Sequence, residues 1–229
     1  MRSSRRWPWT PDAFVWLLLF LVLVPQAWTQ AYPAMEAYVG YSHYNNEYGT
    51  DRQNSPGLQF NLGYNLMRNL QLVGDFGAQF HGTNIVWTNG KKAEVDSYQF
   101  LFGPELKIRN RSNLAPFAHA LAGIALRNYA VPSGNWICTG FPSSCYQTSF
   151  SVARDSGFAW SVGGGLDWEV RPGIALRMIQ FDWVRSDLSR DNSNFSPQQG
   201  SLPILRGWQN NYRFSAGITF RFGEKGVRK

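Results

Sequence analysis

The residues near the end of the chain alternate between apolar side chains and small or polar ones. In the stretch NNYRFSAGITFRFG every even-numbered residue from Tyr212 to Phe222 is apolar, whereas the odd-numbered residues include Arg213 and Arg221. Successive side chains of a β-strand leave opposite faces of the sheet, so a period of two predicts a strand with one apolar and one polar face. The alternation alone leaves open which face points inward.

Seven further segments repeat this alternation and are bounded by Asn, Gly, Pro, Arg or Ser. The eight predicted strands are 35–44, 57–66, 70–81, 94–109, 115–128, 157–170, 174–185 and 210–222. Alternating segments of about ten residues, separated by turn residues, are typical of membrane β-barrels. No segment has a sustained helical period, so the sequence predicts almost no helix.

The connections between these segments alternate between short and long. The short ones are 67–69, 110–114 and 171–173, and the long ones are 45–56, 82–93, 129–156 and 186–209. Tight turns at one end and long loops at the other are typical of an up-and-down barrel with two unlike ends. We therefore expect the short turns on the periplasmic side and the long loops outside the cell.

The size of the side chains decides which face points inward. The interior of an eight-stranded barrel is just wide enough for its own side chains, and rings of Phe, Tyr, Trp and Leu from every strand would overfill it. Soluble monomers rarely expose large apolar patches, so the bulky face must contact hydrocarbon. The sequence predicts an all-β fold, an eight-stranded antiparallel up-and-down transmembrane β-barrel. The alternative fold is a soluble lipocalin-like carrier whose apolar faces would surround a ligand.

Large aromatic side chains stand near both ends of the predicted strands. Those toward the short turns are Trp168, Phe220 and Phe222, and those toward the long loops are Trp160, Trp183 and Tyr212. Membrane barrels carry girdles of aromatic residues at both interfaces. We expect these six residues to form two such girdles.

The polar face of the strands carries charges of both signs. The residues predicted to face the lumen are Glu36, Asp75, Glu105, Asp167, Glu169, Asp182, Lys107, Arg109, Arg177, Arg213 and Arg221. Because unpaired buried charges are strongly unfavourable, we expect a hydrogen-bonded network of salt bridges that plugs the barrel. The competing interpretation is the charged constriction of a narrow solute pore.

Three places depart from the simple alternation. Arg177 and Asp182 have opposite parity, which predicts a β-bulge near Met178 or Ile179 if both point inward. Pro104 lies inside a predicted strand and lacks a backbone donor, which predicts a second bulge there. The segment 116–123 alternates too weakly to be oriented.

The first 31 residues are predicted to be a secretory signal peptide. Basic residues lie at positions 2–6, an apolar stretch covers 13–24, and a small-residue site ends at Ala31. The barrel would then occupy 32–222, followed by a short basic tail at 223–229. Removing this segment removes three positive charges and one negative charge, so the formal net charge falls from +7 to +5. These charges are scattered, and no nucleic-acid partner is expected.

The chain contains two cysteines, Cys138 and Cys145, in a segment rich in Gly, Pro and Ser. A chain exported to an oxidising compartment favours a disulfide between them. A metal site would need further Cys or His ligands, which the sequence does not place nearby. The sequence predicts neither a metal nor a cofactor.

Three strand motifs carry a resemblance to a known family: EAYVGYS at 36–42, FLFGP at 100–104 and SAGITFRF at 215–222. They resemble the bacterial outer-membrane β-barrels that are built like the transmembrane part of outer membrane protein A. The resemblance implies outer-membrane localisation, contact with outer-membrane lipid and insertion by the barrel-assembly machinery, which reads a terminal aromatic residue. Phe222 has that position, although residues 223–229 follow it. A monomer is expected.

Strand motifs define architecture and say little about activity. The leading hypothesis is a non-enzymatic barrel with a structural role or with loops that bind a partner outside the cell, whose identity the sequence does not give. The alternative is a narrow, porin-like small-solute channel. A lipid A-modifying enzyme would use a rim histidine, and the candidates are His43, His81 and His119. Such a base needs a carboxylate and a nucleophile within reach, and the sequence places no such trio, so no catalytic residue is assigned.

Overall fold

The computed structural model describes residues 32–48, 51–80, 85–86, 92–110, 112–139, 144–191 and 208–225. Its strands are β1 (Tyr32–Tyr48), β2 (Asp51–Asn65), β3 (Leu70–Gln79), β4 (Ile85–Val86), β5 (Lys92–Lys107), β6 (Leu114–Thr139), β7 (Ser144–Arg171), β8 (Ile174–Asp191) and β9 (Trp208–Lys225). None of the described residues forms a helix that is long and apolar enough to cross a membrane.

The strands form one closed antiparallel barrel. Each long strand pairs with the next one along the chain, and β1 pairs with both β2 and β9, so that Met35 lies between Tyr64 and Phe222. The short strand β4 pairs only with β5, and β5 continues the wall by pairing with β3. The barrel wall therefore has eight strands, as predicted. Closure pairs the backbone donors that an open sheet would leave exposed to lipid.

The orientation of the strands is also confirmed. On β2, Leu58 and Phe60 are exposed to 57% and 45%, whereas the alternating residues Gln59 and Asn61 are buried. On β9, Phe214 is exposed and Arg213 is fully buried. The interior is therefore mostly polar, apart from a small apolar cluster that includes Val73, Leu101 and Leu121, and the exterior is apolar. This arrangement excludes the lipocalin-like alternative.

Two of the long connections differ from the prediction. Most residues of 45–56 and of 129–156 continue the flanking strands instead of forming loops. Once two antiparallel strands are in register, backbone hydrogen bonds can extend the hairpin past the membrane whether or not its side chains alternate. Alternation reports burial in lipid, so it found only the membrane-embedded part of these hairpins.

The bulge predicted on the seventh barrel strand, β8, is confirmed. The pairing of β8 with β9 shifts register between Arg177 and Gln180. Met178 and Ile179 are both exposed, whereas Arg177 and Asp182 are both buried. The extra residue thus resets the parity of β8 and brings both charged groups inward.

The bulge predicted at Pro104 is wrong. Pairing of β5 with β6 is interrupted at Gly103 and Pro104, but it resumes at Glu105 with the register it had at Phe102. On the other side, Pro104 pairs with Leu72 of β3 in an unbroken ladder. The missing donor is therefore accommodated by a local gap on one side of the strand.

The segment that could not be oriented has its larger side chains inside. Phe117, His119 and Leu121 are buried, whereas the intervening Ala118 and Ala120 are exposed. Here the rule that bulky residues face lipid is reversed, because small alanines cover the outside of β6. The reversal explains why the alternation gave no direction.

Candidate functional site

A cluster of charged side chains in the periplasmic half of the lumen is centred on Lys107 of β5. Its Nζ forms an ion pair with Glu36 of β1 and lies 2.9 Å from Asp167 Oδ2 of β7 and 3.4 Å from Glu105 Oε1. The side chains of Lys107 and Asp167 are both fully buried. Because β1, β5 and β7 are not neighbours in the wall, Lys107 links three parts of the barrel across its interior.

Arg177 of β8 extends this cluster toward the centre. Its Nε donates to Asp167 Oδ1 at 2.9 Å and its Nη1 donates to Gln180 Oε1 at 2.7 Å. The guanidinium carbon lies 4.3 Å from the ring centre of Tyr38 and 4.2 Å from that of Phe117. Two aromatic rings therefore contact the guanidinium through cation–π interactions, and a carboxylate accepts hydrogen bonds from its N–H groups.

A second cluster is centred on Arg213 of β9. Its Nη1 and Nη2 donate to the two carboxylate oxygens of Asp75 at 2.8 and 3.1 Å, and its Nε donates to Asp182 Oδ2 at 2.8 Å. All three side chains are fully buried. Asp75 lies on β3, so the forked contact crosses the lumen.

His119 of β6 joins the two clusters. Its Nε2 lies 2.8 Å from Asp182 Oδ1, and its Nδ1 lies 3.5 Å from Glu105 Oε2. Both ring nitrogens face carboxylates, which leaves neither nitrogen facing a hydroxyl or thiol nucleophile. His119 is buried inside the lumen, so it does not lie on the lipid-facing rim where an enzymatic role would require it.

Of the other two histidines, the structure describes only His43. His43 points outward on β1, where it is the cross-strand partner of Pro56 and Phe214. His81 lies outside the described residues. Within the described ranges, no group of three or more His, Cys, Asp or Glu side chains is arranged to hold a metal ion.

The remaining predicted lumen residues lie toward the periplasmic mouth. Arg109 Nη2 donates to Glu36 Oε1 at 2.8 Å and to Asn65 Oδ1 at 2.9 Å. Arg221 Nη1 donates to Glu169 Oε2 at 2.5 Å, and its Nε lies 3.3 Å from Glu36 Oε1. A cavity of about 490 Å³ opens at this end and is lined in part by Arg109, Glu169 and Arg221.

The predicted girdle residues all lie on the outer face. Trp160 and Trp183 pack edge to face with ring centres 5.2 Å apart, and Tyr212 stacks on Phe181 at 5.9 Å. At the other end Trp168, Phe220 and Phe222 are exposed. Cys138 and Cys145 are direct cross-strand partners near the tip of the β6–β7 hairpin, and the disulfide between them stays a prediction. The predicted signal peptide lies outside the described residues.

The sequence profile of a family described as "Outer membrane protein beta-barrel domain" matches residues 13–222. The chain belongs to this family of outer-membrane β-barrels. Membership confirms the predicted resemblance and localisation, because the matched region reaches from before β1 to Phe222 in the last strand, β9. The protein therefore lies in the bacterial outer membrane. No match to a curated protein was found.

Solved barrels of the same architecture are similar to this family member. Neisserial surface protein A (NspA) is 12% identical over 84% of this chain and 99% of its own, with a TM-score of 0.51. Ail, the attachment invasion locus protein of Yersinia pestis, is 14% identical over 84% and 99%, with a TM-score of 0.48. The N-terminal barrel of Pseudomonas aeruginosa OprF is 12% identical over 84% and 100%, with a TM-score of 0.35. At such identities the similarity to NspA shows the fold alone.

Sequence reasoning about this outer-membrane barrel did not include His119, Tyr38 and Phe117 among the lumen residues. The alternation of β1 places Tyr38 on the inward face, so that residue could have been found from parity. His119 and Phe117 lie on the strand whose parity is reversed, and only the register of β6 against β5 orients them.

Proposed function

We propose that this outer-membrane barrel is non-enzymatic, that its lumen is closed by its charge network, and that it acts at the cell surface through its extended hairpins. The observation that carries the proposal is the β6–β7 hairpin. Pairing of β6 with β5 ends at Ala130, and pairing of β7 with β8 ends at Arg154, but β6 and β7 continue to pair as far as Thr139 and Ser144. In the part of the chain that the structure describes, a two-stranded ribbon thus extends beyond the rest of the wall.

Among the described residues, no other strand pairs with the two outer edges of this ribbon, and the barrel holds its base. Exposed strand edges can pair with an extended segment of another protein, and binding sites are commonly carried by surface segments on rigid scaffolds. An interaction outside the membrane would give a role to a ribbon that continues past the described pairing of its neighbours.

Site-specific photo-crosslinking on intact bacteria tests the surface role. A photoreactive residue in place of Trp136, on the ribbon, is expected to crosslink to a macromolecule outside the barrel, whereas one in place of lipid-facing Ile124 is expected to crosslink to lipid only. A ribbon shortened by replacing residues 131–150 with Asn-Gly joins the paired residues Ala130 and Ser151 through a short hairpin turn. The surface role is contradicted if the adduct at Trp136 is lipid only. It is also contradicted if cells that carry the shortened barrel keep every property that cells without the protein lose.

Closure of the lumen is supported by side chains that cross it. Lys107 and Arg213 are buried and pair with carboxylates on strands across the lumen, whereas buried Arg177 pairs with Asp167 on the neighbouring strand β7. The side chain of Gln99 also donates to that of Gln79 at 3.4 Å inside the barrel. An eight-stranded barrel leaves little additional space. We expect the purified protein to produce no steady current in planar bilayers. A sustained, reproducible current from protein that shows heat-modifiable gel migration would favour the small-solute channel instead.

The non-enzymatic character is supported by the placement of the histidines. A general base needs one nitrogen oriented by a carboxylate and the other in reach of the nucleophile. His119 meets carboxylates at both nitrogens and is separated from lipid by the barrel wall. Expression of the protein is therefore expected to leave the mass of lipid A unchanged.

A further inference from the structure

Arg185 marks the place where β8 leaves the apolar band of the barrel. The outward residues that precede it, Ile174, Leu176, Phe181 and Trp183, are all exposed and apolar. A membrane β-strand crosses the hydrocarbon in about 9–11 residues. Arg185 comes eleven positions after Ile174 on the outer face, so it lies at the headgroup level of the outer leaflet.

Two tryptophans hold the guanidinium of Arg185 on this surface. Its central carbon lies 5.9 Å from the ring centre of Trp160 and 5.2 Å from that of Trp208. Its Nε has no hydrogen-bond partner, and no carboxylate of the described residues lies within ion-pair distance of it. The exposed Asp187, two positions further along the same face, does not form a pair with it. The rings therefore position the cation without neutralising it.

Arg52 of β2 supplies a second guanidinium at the same site. Its central carbon lies 4.8 Å from the ring centre of Tyr212, its Nη2 donates to the Asn210 carbonyl at 3.3 Å, and its Nη1 donates to Asn45 Oδ1. Asn210 is the cross-strand partner of Arg185, so the two arginines flank one residue. Glu47, which lies directly opposite Arg52 on β1, accepts a hydrogen bond from the Asn210 backbone N–H at 2.5 Å.

We propose that Arg52 and Arg185, which we call the outer arginine site, bind the phosphate of a phosphorylated lipid A headgroup in the outer leaflet. Guanidinium groups match phosphate oxygens with paired donors, and neither cation here forms an ion pair with a carboxylate in the described part of the chain. The tryptophan and tyrosine rings that contact these arginines belong to the interfacial girdle, where the acyl chains end and the headgroups begin. The site is independent of the surface role of the hairpins.

Titration of the refolded full-length barrel in detergent micelles with fluorescent phosphorylated lipid A tests this site. Arg52→Gln and Arg185→Gln are each expected to weaken apparent affinity about fivefold, and the double variant about twenty-fivefold, since a basic residue near an anionic surface contributes roughly this much. Arg185→Lys keeps the charge and should lose less than Arg185→Gln. Arg171→Gln, at the exposed periplasmic turn, is the matched control and should bind as the wild type does.

Two further arms identify the source of the phosphate. Dephosphorylated lipid A is expected to bind the wild type no better than it binds the double variant, and excess inorganic phosphate is expected not to displace phosphorylated lipid A. Heat-modifiable gel migration shows that each variant is folded. If Arg185→Gln does not fold, Arg185→Lys takes its place in the comparison with the wild type. The proposal is overturned if the folded double variant binds like the wild type, if dephosphorylated lipid A binds equally well, or if inorganic phosphate competes fully.

Discussion

Replacing Lys107 with Met is expected to lower the free energy of unfolding by about 3–5 kcal/mol, the usual consequence of removing one partner from a buried ion cluster. Its Nζ lies within ion-pair distance of the carboxylates of Glu36, Glu105 and Asp167, and the side chain is fully buried. Methionine matches the length of lysine, so the variant removes charge with little change in volume. The carboxylates that remain cannot be hydrated in so narrow a lumen.

Urea unfolding of the protein refolded in vesicles, followed by tryptophan fluorescence and gel migration, measures this loss. Lys225→Met is the matched control, because Lys225 is only partly buried at the periplasmic end and donates to the Asn65 carbonyl instead of to a carboxylate. We expect the control to cost less than about 1 kcal/mol. Adding Glu36→Gln to Lys107→Met should recover part of the stability. Equal costs for the two lysine variants would contradict the proposed network.

The part of the fold that sequence reasoning could predict is the part that contacts lipid. On β2, β3, β5, β7 and β9 most outward residues are large and apolar and most inward ones small or polar, because hydrocarbon and a narrow polar lumen impose opposite requirements. Val73 on β3 and Leu101 on β5 are inward exceptions. The same rule located the bulge between Arg177 and Asp182, since two charged residues of opposite parity can both avoid lipid only through an extra residue.

The same reasoning failed where lipid imposes no requirement. Ala118 and Ala120 are acceptable outside or inside a barrel, so β6 gave no signal, and the inward position of His119 followed only from pairing. Beyond the alternating segments β6 and β7 continue to pair, so the sequence pattern predicts a loop where the structure has a long ribbon. Pro104 shows a third limit, because a missing donor can be tolerated by a gap in one ladder without a bulge.

Parity also could not identify the partners within the lumen. It predicts that Arg213, Asp75 and Asp182 share the interior. Which of these side chains form ion pairs depends on the position of each residue along the barrel axis, and that position depends on the stagger of all the strands. Arg213 reaches Asp75 on β3 from β9, with β1 and β2 between them in the wall. Contacts that connect distant strands in this way constrain the barrel as a whole instead of one hairpin.

A double-mutant cycle on Arg213 and Asp75 is expected to give the largest pairwise coupling in the lumen, about 1.5–3 kcal/mol. The carboxylate receives two parallel hydrogen bonds from one guanidinium, at 2.8 and 3.1 Å, and both side chains are fully buried. Arg213→Met leaves Asp75 without its bidentate cation, and Asp75→Asn leaves Arg213 with only Asp182 as an ionic partner. Each single change is therefore costly, but the second change costs much less once the first is present. The cycle of Asp75→Asn with Arg171→Met, a residue on the exposed periplasmic turn, should be additive within about 0.5 kcal/mol. Additivity of the Arg213 and Asp75 changes in the same urea titration would mean that this forked contact does not hold β9 to β3.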